Sequence, residues 1–269
     1  MNATAATTTL SEAPSAEAGN TGLGLGLDLG APGPPAPGEV HTFLVPVRRR
    51  TEWLALLDAE ETARFAELTE GQARDTFTTS RVMQRLIGAR YLGLPPAEVQ
   101  ITRACQHCEG NHGRPRFLDT PVNYSVSHTE EWLLAAVTAT GLVGVDVESL
   151  ALNRDVGRMA AITLTEAEKE RFAKLPERMR ARWFVRTWTR KEAAMKLVGL
   201  GLAAPPAELD VAGRILSVGK VPRWPDLRIF LRDLPAPPGH AAALASTVEP
   251  TAVRAVRPPE VVAALDVMP

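Results

Sequence analysis

The sequence is poor in the features that mark membrane and secreted proteins. It has only 2 cysteines among 269 residues, too few for a disulfide framework. No apolar run approaches the ~18–20 residues that a membrane-spanning helix needs. Residues 1–10 lack the basic and apolar regions of a secretory signal. Lys and Arg number 30 against 31 Asp and Glu, so no overall basic field favours nucleic acid or a membrane surface. We therefore expect a cytoplasmic globular protein.

Residues 1–40 differ in composition from the rest of the chain. They contain no Lys, Arg or aromatic residue, but 7 Gly and 5 Pro. Such a segment buries too little apolar surface to offset its chain entropy. We predict a disordered Gly/Pro-rich tail over 1–40, then an N-terminal half over 41–141 and a C-terminal half over 142–269.

Hydrophobic periodicity predicts helices and short strands in both halves. The first stretch contains helices over 51–69 and 72–92, followed by strands over 99–103, 116–118, 123–127, 133–138 and 142–148. The second contains helices near 154–161, 165–175 and 178–198, and strands near 208–218, 227–232 and 241–248. We expect an α+β fold of two similar α/β halves with pseudo-twofold symmetry, each with helices packed on a small, mainly antiparallel sheet.

Residues 144–148, Gly-Val-Asp-Val-Glu, form the first candidate site. Because side chains alternate along a strand, Asp146 and Glu148 face one side, with Cα atoms about 6.6 Å apart. Two carboxylates at this separation can reach one cation, and Gly144 would let a ligand approach the backbone. The alternative is the polar face of an edge strand.

Trp188, Glu192 and Lys196 form one stripe of a predicted helix. A Glu–Lys pair at this spacing often only stabilises a surface helix, by about 0.3–0.5 kcal/mol. The bulky Trp188 one turn earlier indicates that the stripe faces protein. A carboxylate and an ammonium group partly buried there need partners such as a metal ion and phosphates.

Other polar residues could hold a phosphate. Ser127 and His128 are adjacent, which disfavours a hydrolase triad, but a hydroxyl, an imidazole and backbone amides at a strand end suit a phosphate. Arg74, Arg81 and Arg85 lie on one face of the predicted helix 72–92, where a solvated face is the alternative.

Cys105, Cys108 and His112 have a spacing similar to that of zinc ligands. A structural zinc ion needs four ligands, and His107 and Asp119 are the candidates for the fourth position. Two reduced loop cysteines are the alternative.

Together, residues 144–148 and 188–196 resemble the two signature motifs of the 4′-phosphopantetheinyl transferases. Supporting matches are Ser127-His128 before the first motif, Gly-Arg-Pro at 113–115 and Gly-Leu-Gly-Leu at 199–202. The resemblance extends from about residue 45 to 248. It is to the surfactin-synthetase (Sfp) type, which implies a monomer of two similar halves.

The resemblance implies transfer of phosphopantetheine from coenzyme A to a serine hydroxyl of an apo acyl-carrier or peptidyl-carrier protein, with release of adenosine 3′,5′-bisphosphate. Asp146, Glu148 and Glu192 match the positions that hold Mg²⁺, or Mn²⁺ in its place. Glu192 also matches the proposed general base, and Lys196 matches the lysine at the pyrophosphate, so that both have catalytic roles.

The resemblance further implies a set of residues that bind coenzyme A: Arg81, Arg114, Ser127, His128, Lys191 and Lys196. In this set Ser127, His128 and Arg81 serve the 3′-phosphate end, and Arg114 lies near the adenine. Because carrier helices are commonly acidic, we expect a docking surface on the protein that includes Arg154, Arg158, Arg178 and Arg182. Carriers of polyketide or nonribosomal peptide synthases are the expected partners.

Two other functions stay open from the residues alone. The three carboxylates could serve another Mg²⁺-dependent phosphoryl-transfer enzyme or a hydrolase, although no further acidic cluster for a second metal is visible. A non-catalytic relative could bind only carrier proteins or coenzyme A, although it would have no need to keep the metal carboxylates.

Overall fold

The computed structural model describes residues 33–105, 110–111, 113–151 and 155–257, together with strands at 25–28 and 260–263. The helices are α1 (Ala59–Glu67), α2 (Gln72–Leu92), α3 (Val156–Thr163), α4 (Glu166–Lys174) and α5 (Glu177–Val198). The strands are β1 (Leu25–Asp28), β2 (Glu39–Pro46), β3 (Ile101–Thr102), β4 (Arg116–Phe117), β5 (Asn123–His128), β6 (Trp132–Thr138), β7 (Val143–Ser149), β8 (Leu209–Asp210), β9 (Ser217–Val218), β10 (Phe230–Leu234), β11 (His240–Ser246), β12 (Ala252–Ala255) and β13 (Glu260–Ala263).

Two small sheets organise the fold. The first has the strand order β12-β2-β6-β5, with antiparallel pairs except for the parallel pair of β12 and β2. The second has the order β10-β11-β7 and is antiparallel throughout. Because β12 follows β11 in the chain but joins the first sheet, the two sheets do not divide cleanly at residue 141. The expected α+β arrangement is confirmed, and the pseudo-twofold relation stays a prediction.

The long helices cover one sheet each. Helix α2 packs on the first sheet, where Gln84 accepts a hydrogen bond of 2.9 Å from the Tyr124 hydroxyl and Tyr91 lies 2.8 Å from His41 Nδ1. Helix α5 packs on the second sheet, where Ala193, Met195 and Leu197 belong to its core. None of the helices in the described part of the chain is long and apolar enough to cross a membrane.

The sequence located the long helices well and one shorter helix less well. Helix α2 has the ends that were predicted, and it closes at Gly93 in the left-handed conformation. The helix predicted over 51–69 is instead a 3-10 segment (Thr51–Leu56) and then α1. The break occurs because Asp58 and Glu61 form a capping box, which starts a new helix after Leu57.

The prediction of a disordered tail falls mostly outside the described residues. Within the part that is described, Leu25–Asp28 is a strand that pairs with β13, in a unit distinct from the unit Leu29–Glu260. Glu39 and Val40 already belong to β2.

Helix α5 packs directly against Gly144 of β7. A Cβ atom added there would overlap the carbonyl oxygen of Ala193 and lie 2.7 Å from the Leu197 nitrogen. The expectation that Gly144 makes room for a ligand is therefore wrong, since helix α5 takes that room. The missing side chain instead lets the helix approach the strand that carries Asp146 and Glu148.

We expect Gly144→Ala to destabilise the protein by roughly 3 kcal/mol, because backbone atoms of α5 cannot move aside as a side chain can. Urea unfolding measures the change. The control is Gly213→Ala, whose added Cβ would meet the Ile215 oxygen at 3.4 Å. That variant should stay within about 0.5 kcal/mol of the wild type. Equal stability of both variants would show that the strand and helix are not held this closely.

Candidate active site

Strands β5 and β7 meet at a seam that side chains bridge. The Val145 amide donates a 3.1 Å hydrogen bond to Ser125 Oγ. Arg114 donates to the carbonyl oxygens of Tyr124 and Val143, at 3.2 and 3.3 Å. Within each sheet, backbone hydrogen bonds join neighbouring strands. Between β5 and β7 these side-chain hydrogen bonds join the strands instead, and they fix the relative position of the two strands.

Asp146 lies on the β7 side of this seam and is 2% exposed. Its Oδ1 accepts hydrogen bonds of 2.7 Å from Ser127 Oγ and 2.6 Å from Lys196 Nζ. Lys196 also donates to Ser127 Oγ at 2.6 Å. A buried carboxylate requires such compensation. The three hydrogen bonds connect one residue from each of β5, β7 and α5.

Glu148 and Glu192 extend the acidic group. Trp188 donates from Nε1 to Glu148 Oε1 at 3.2 Å, so the tryptophan one turn before Glu192 does face protein, as predicted. Burial, together with the charges of Asp146 and Glu148, raises the pKa of Glu192 to about 7, against the opposing charge of Lys196. The influence of both acids on Glu192 indicates that strand and helix carboxylates share one environment.

The donor set fits a hard divalent cation. Asp146 Oδ2 is buried and has no hydrogen-bond partner, which leaves one carboxylate oxygen for a cation beside the carboxylates of Glu148 and Glu192. Within the described part of the chain, no three His, Cys, Asp or Glu side chains converge closely enough to enclose a metal ion by themselves. Mg²⁺ does not require a complete protein cage, because it commonly combines one or two carboxylates with water and substrate phosphates.

Basic groups lie beside the acids. His128 ends β5 and is exposed on one side. Partial burial lowers its pKa, and the nearby charges of Lys196 and Arg81 lower it further. Arg81 is 25% exposed at its side chain and packs on the Phe77 ring. Lys196 and Arg81 form a positive region next to Asp146, and the neutral His128 ring beside them can supply a hydrogen bond, as is suited to phosphates.

Arg114 lies at another small cavity, which Gly113, Asn123, Leu197 and Gly199 also line. Burial lowers the pKa of Arg114 to about 10, so the group stays charged at neutral pH. Its Nε is buried without a hydrogen-bond partner.

Lys191 points away from this site. Its side chain is fully buried, forms a 2.5 Å ion pair with Glu168 and donates to the carbonyl oxygens of Thr163 and Pro206 at 2.9 and 2.8 Å. These three contacts use all of its donors. The structure therefore removes Lys191 from the candidate cofactor-binding residues and gives it the role of anchoring α5.

The three arginines of the predicted face of α2 also differ in whether they lie near the candidate site. Arg85 is buried and pairs with Asp58 and Glu61 at 2.8 and 2.6 Å. Arg74 donates to the Leu68 carbonyl at 3.0 Å, at the end of α1. Of the three arginines, Arg81 is the one whose charge reaches the group around His128.

A cleft of about 710 Å³ begins at Glu148 and Trp188. Its lining also includes Glu131 and His240, which sequence reasoning missed. His240 opens β11, opposite Ser149 of β7. A lone histidine in a strand carries no motif, so only the pairing of β11 with β7 could bring it into view.

Several predicted residues lie outside the described part of the chain. They are His107, Cys108, His112 and Arg154. Cys105 is partly buried, and the zinc hypothesis stays untested.

Comparisons with known proteins identify the family. Residues 142–229 match the family model of the 4′-phosphopantetheinyl transferase superfamily. The chain is 30% identical over 173 residues to the 4′-phosphopantetheinyl transferase HetI of Nostoc sp., and the match covers 61% of this chain and 70% of HetI. A provisionally named 4′-phosphopantetheinyl transferase of Synechocystis sp. is 28% identical over 152 residues, or 55% of this chain and 59% of the relative.

The family match begins just before β7 and includes helix α5, and thus includes all three carboxylates and Lys196. The protein belongs to the 4′-phosphopantetheinyl transferase superfamily and is an enzyme of that class.

The raised pKa of Glu192 predicts a pH-dependent stability. An acid whose folded pKa lies near 7 instead of 4.5 contributes stability below pH 4.5 and loses it as the pH rises through 7. Without divalent metal, Glu192→Gln should therefore be more stable than the wild type at pH 8, by roughly 1–3 kcal/mol, with little difference near pH 4.5. Urea unfolding in EDTA at the two pH values measures this. The exposed Glu170→Gln is the control, and a Glu192→Gln variant that is no more stable at pH 8 contradicts the burial argument.

Proposed function

We propose that the protein transfers the 4′-phosphopantetheine group of coenzyme A to a serine hydroxyl of an apo carrier protein and needs Mg²⁺ for this reaction. The observation that carries the proposal is the juxtaposition at the seam. Carboxylates of β7 and α5 lie beside the positive charges of Lys196 and Arg81 and beside the His128 ring. Coenzyme A brings a diphosphate and a 3′-phosphate, which suit the metal and the basic group respectively.

Asp146, Glu148 and Glu192 are the proposed ligands for Mg²⁺. The unpartnered Asp146 Oδ2 and the influence of Asp146 and Glu148 on the Glu192 carboxyl support this assignment. When bound, the ion would neutralise negative charge on the diphosphate. Lys196 adds a fixed positive charge on the same side, and its bond to Asp146 holds it within reach of the phosphates.

The reaction forms a bond between the serine oxygen and the β-phosphorus and breaks the bond to the departing phosphate of adenosine 3′,5′-bisphosphate. The proton of the serine must leave as the new bond forms. We propose that Glu192 accepts it. Its raised pKa of about 7 belongs to the metal-free protein, and a bound cation would lower this pKa. Positioning contributes more than basicity, since the transition state of phosphoryl transfer is loose.

The 3′-phosphate is assigned to His128 and Arg81. Ser127, in contrast, is buried, and its hydroxyl is engaged with Asp146 and Lys196. We therefore propose that Ser127 orients these two side chains. Arg114, with an unpartnered Nε at its own cavity, remains the candidate for the adenine end.

A docking surface for the carrier is proposed at α3 and the start of α5. Arg158, Arg178 and Arg182 are exposed there, and the apolar side chains of Ile162 and Met179 are 73% and 48% exposed. Basic and apolar groups together suit an acidic helical partner. We also propose that the protein acts as a monomer.

The transfer itself is the first test. The protein is incubated with coenzyme A, Mg²⁺ and a panel of apo carrier proteins, and mass spectrometry records the gain of phosphopantetheine. We expect Glu192→Gln to lower the rate by roughly a hundredfold or more, because both a metal ligand and a proton acceptor are lost. Glu170→Gln serves as the control. A folded Glu192→Gln variant with near-normal turnover would falsify the assignment of this residue.

His128→Ala tests the 3′-phosphate site. We expect the KM for coenzyme A to rise about tenfold, the loss of one hydrogen bond to a charged group, with a smaller change in kcat. With 3′-dephospho-coenzyme A the variant and the wild type should have the same KM. If the substitution raises the KM equally for coenzyme A and for 3′-dephospho-coenzyme A, His128 does not bind the 3′-phosphate.

A further inference from the structure

The cleft beside Glu148 is lined by apolar residues in one part and by acidic residues in another. One wall is apolar and contains Met159, Phe184, Val185 and Trp188. The rim carries the carboxylates of Glu130, Glu131 and Glu148, and the described residues that line the cleft include no Lys or Arg. An anion would be repelled by this rim, while an uncharged chain with apolar groups and hydrogen-bond donors would fit it.

His240 supplies a polar group to the lining of the cleft. Its side chain is 4% exposed, and its Nε2 is buried without a hydrogen-bond partner. The other ring nitrogen, Nδ1, lies 3.1 Å from the carbonyl oxygen of Pro238. A carbonyl can only accept, so Nδ1 carries the hydrogen, and Nε2 of the neutral ring is an acceptor.

Glu131 provides a second acceptor at the same place. Its Oε2 lies 3.4 Å from His240 Nε2, and the two atoms do not form a hydrogen bond. The buried Nε2 remains unsatisfied until a donor lies near it, whereas water solvates the largely exposed Glu131 carboxylate. An amide N–H or a hydroxyl of a ligand in the cleft would satisfy Nε2.

We propose that His240 is a specificity-determining residue for coenzyme A, and that its Nε2, with Glu131 beside it, accepts a hydrogen bond from an amide or hydroxyl group of the uncharged arm of that cosubstrate. This inference rests on the proposed function, because the cleft begins at Glu148, a proposed ligand of the metal that holds the diphosphate. The acidic partner protein is the less suitable occupant, since the three carboxylates of the rim would repel it.

Binding measurements distinguish contacts with the uncharged arm from contacts with the rest of the cosubstrate. Calorimetry with Mg²⁺ compares coenzyme A with adenosine 3′,5′-bisphosphate, which lacks the arm. We expect His240→Ala to weaken coenzyme A binding about three- to tenfold, as for one neutral hydrogen bond, and to leave adenosine 3′,5′-bisphosphate binding unchanged. His240→Gln, which can present an amide oxygen near the position of Nε2, should recover part of the loss.

Glu131→Ala gives a second test that does not disturb the core, since this side chain is 71% exposed. It should weaken coenzyme A binding and leave adenosine 3′,5′-bisphosphate binding unchanged, whereas the neighbouring Glu130→Ala should change neither. Equal losses for both ligands, or no loss for coenzyme A in both the His240 and the Glu131 variants, overturn the inference. A wild-type protein that binds neither ligand overturns the proposed function itself.

Discussion

The contact of the buried Asp146 carboxylate with Lys196 is the interaction on which the candidate site depends. Asp146 lies in β7 and Lys196 near the end of α5, and Ser127 of β5 joins them. An isolated carboxylate at 2% exposure would be strongly destabilising. The pairing with Lys196 offsets the cost of burying this carboxylate, and the second oxygen of the same carboxylate stays without a hydrogen-bond partner. One residue thus connects the stability of the fold to its chemistry.

The packing of α5 on β7 also positions the residues of the candidate site. Gly144 permits a close approach of helix and strand, and Lys191 is tied to Glu168 and to two carbonyl oxygens on the other side of the helix. These contacts fix the rotation of α5 about its axis. They thereby bring Glu192 into the environment of Asp146 and Glu148, where burial raises its pKa.

Much of the site could be predicted from local patterns. Strand alternation in 143–149 placed Asp146 and Glu148 on one face, and helical spacing placed Trp188, Glu192 and Lys196 in one stripe. Both patterns depend on neighbouring residues in the chain, and the structure contains both elements. The break before α1 was missed because the cap at Asp58 is a competing local signal within an apolar pattern. The bulk of residues 1–40 lies outside the described part of the chain, so its predicted disorder is untested.

The sequence by itself determined the elements and the residue types that carry the chemistry, because backbone periodicity and side-chain charge are local properties. Only the tertiary structure decided which of two lysines on α5 faces the acids. Lys191 and Lys196 are about 140° apart around the helix, and packing buries the first against Glu168 and directs the second to Asp146. The same holds for His240, which reaches the cleft through the pairing of β11 with β7. Contacts between distant segments arise from packing, and no pattern within either segment encodes them.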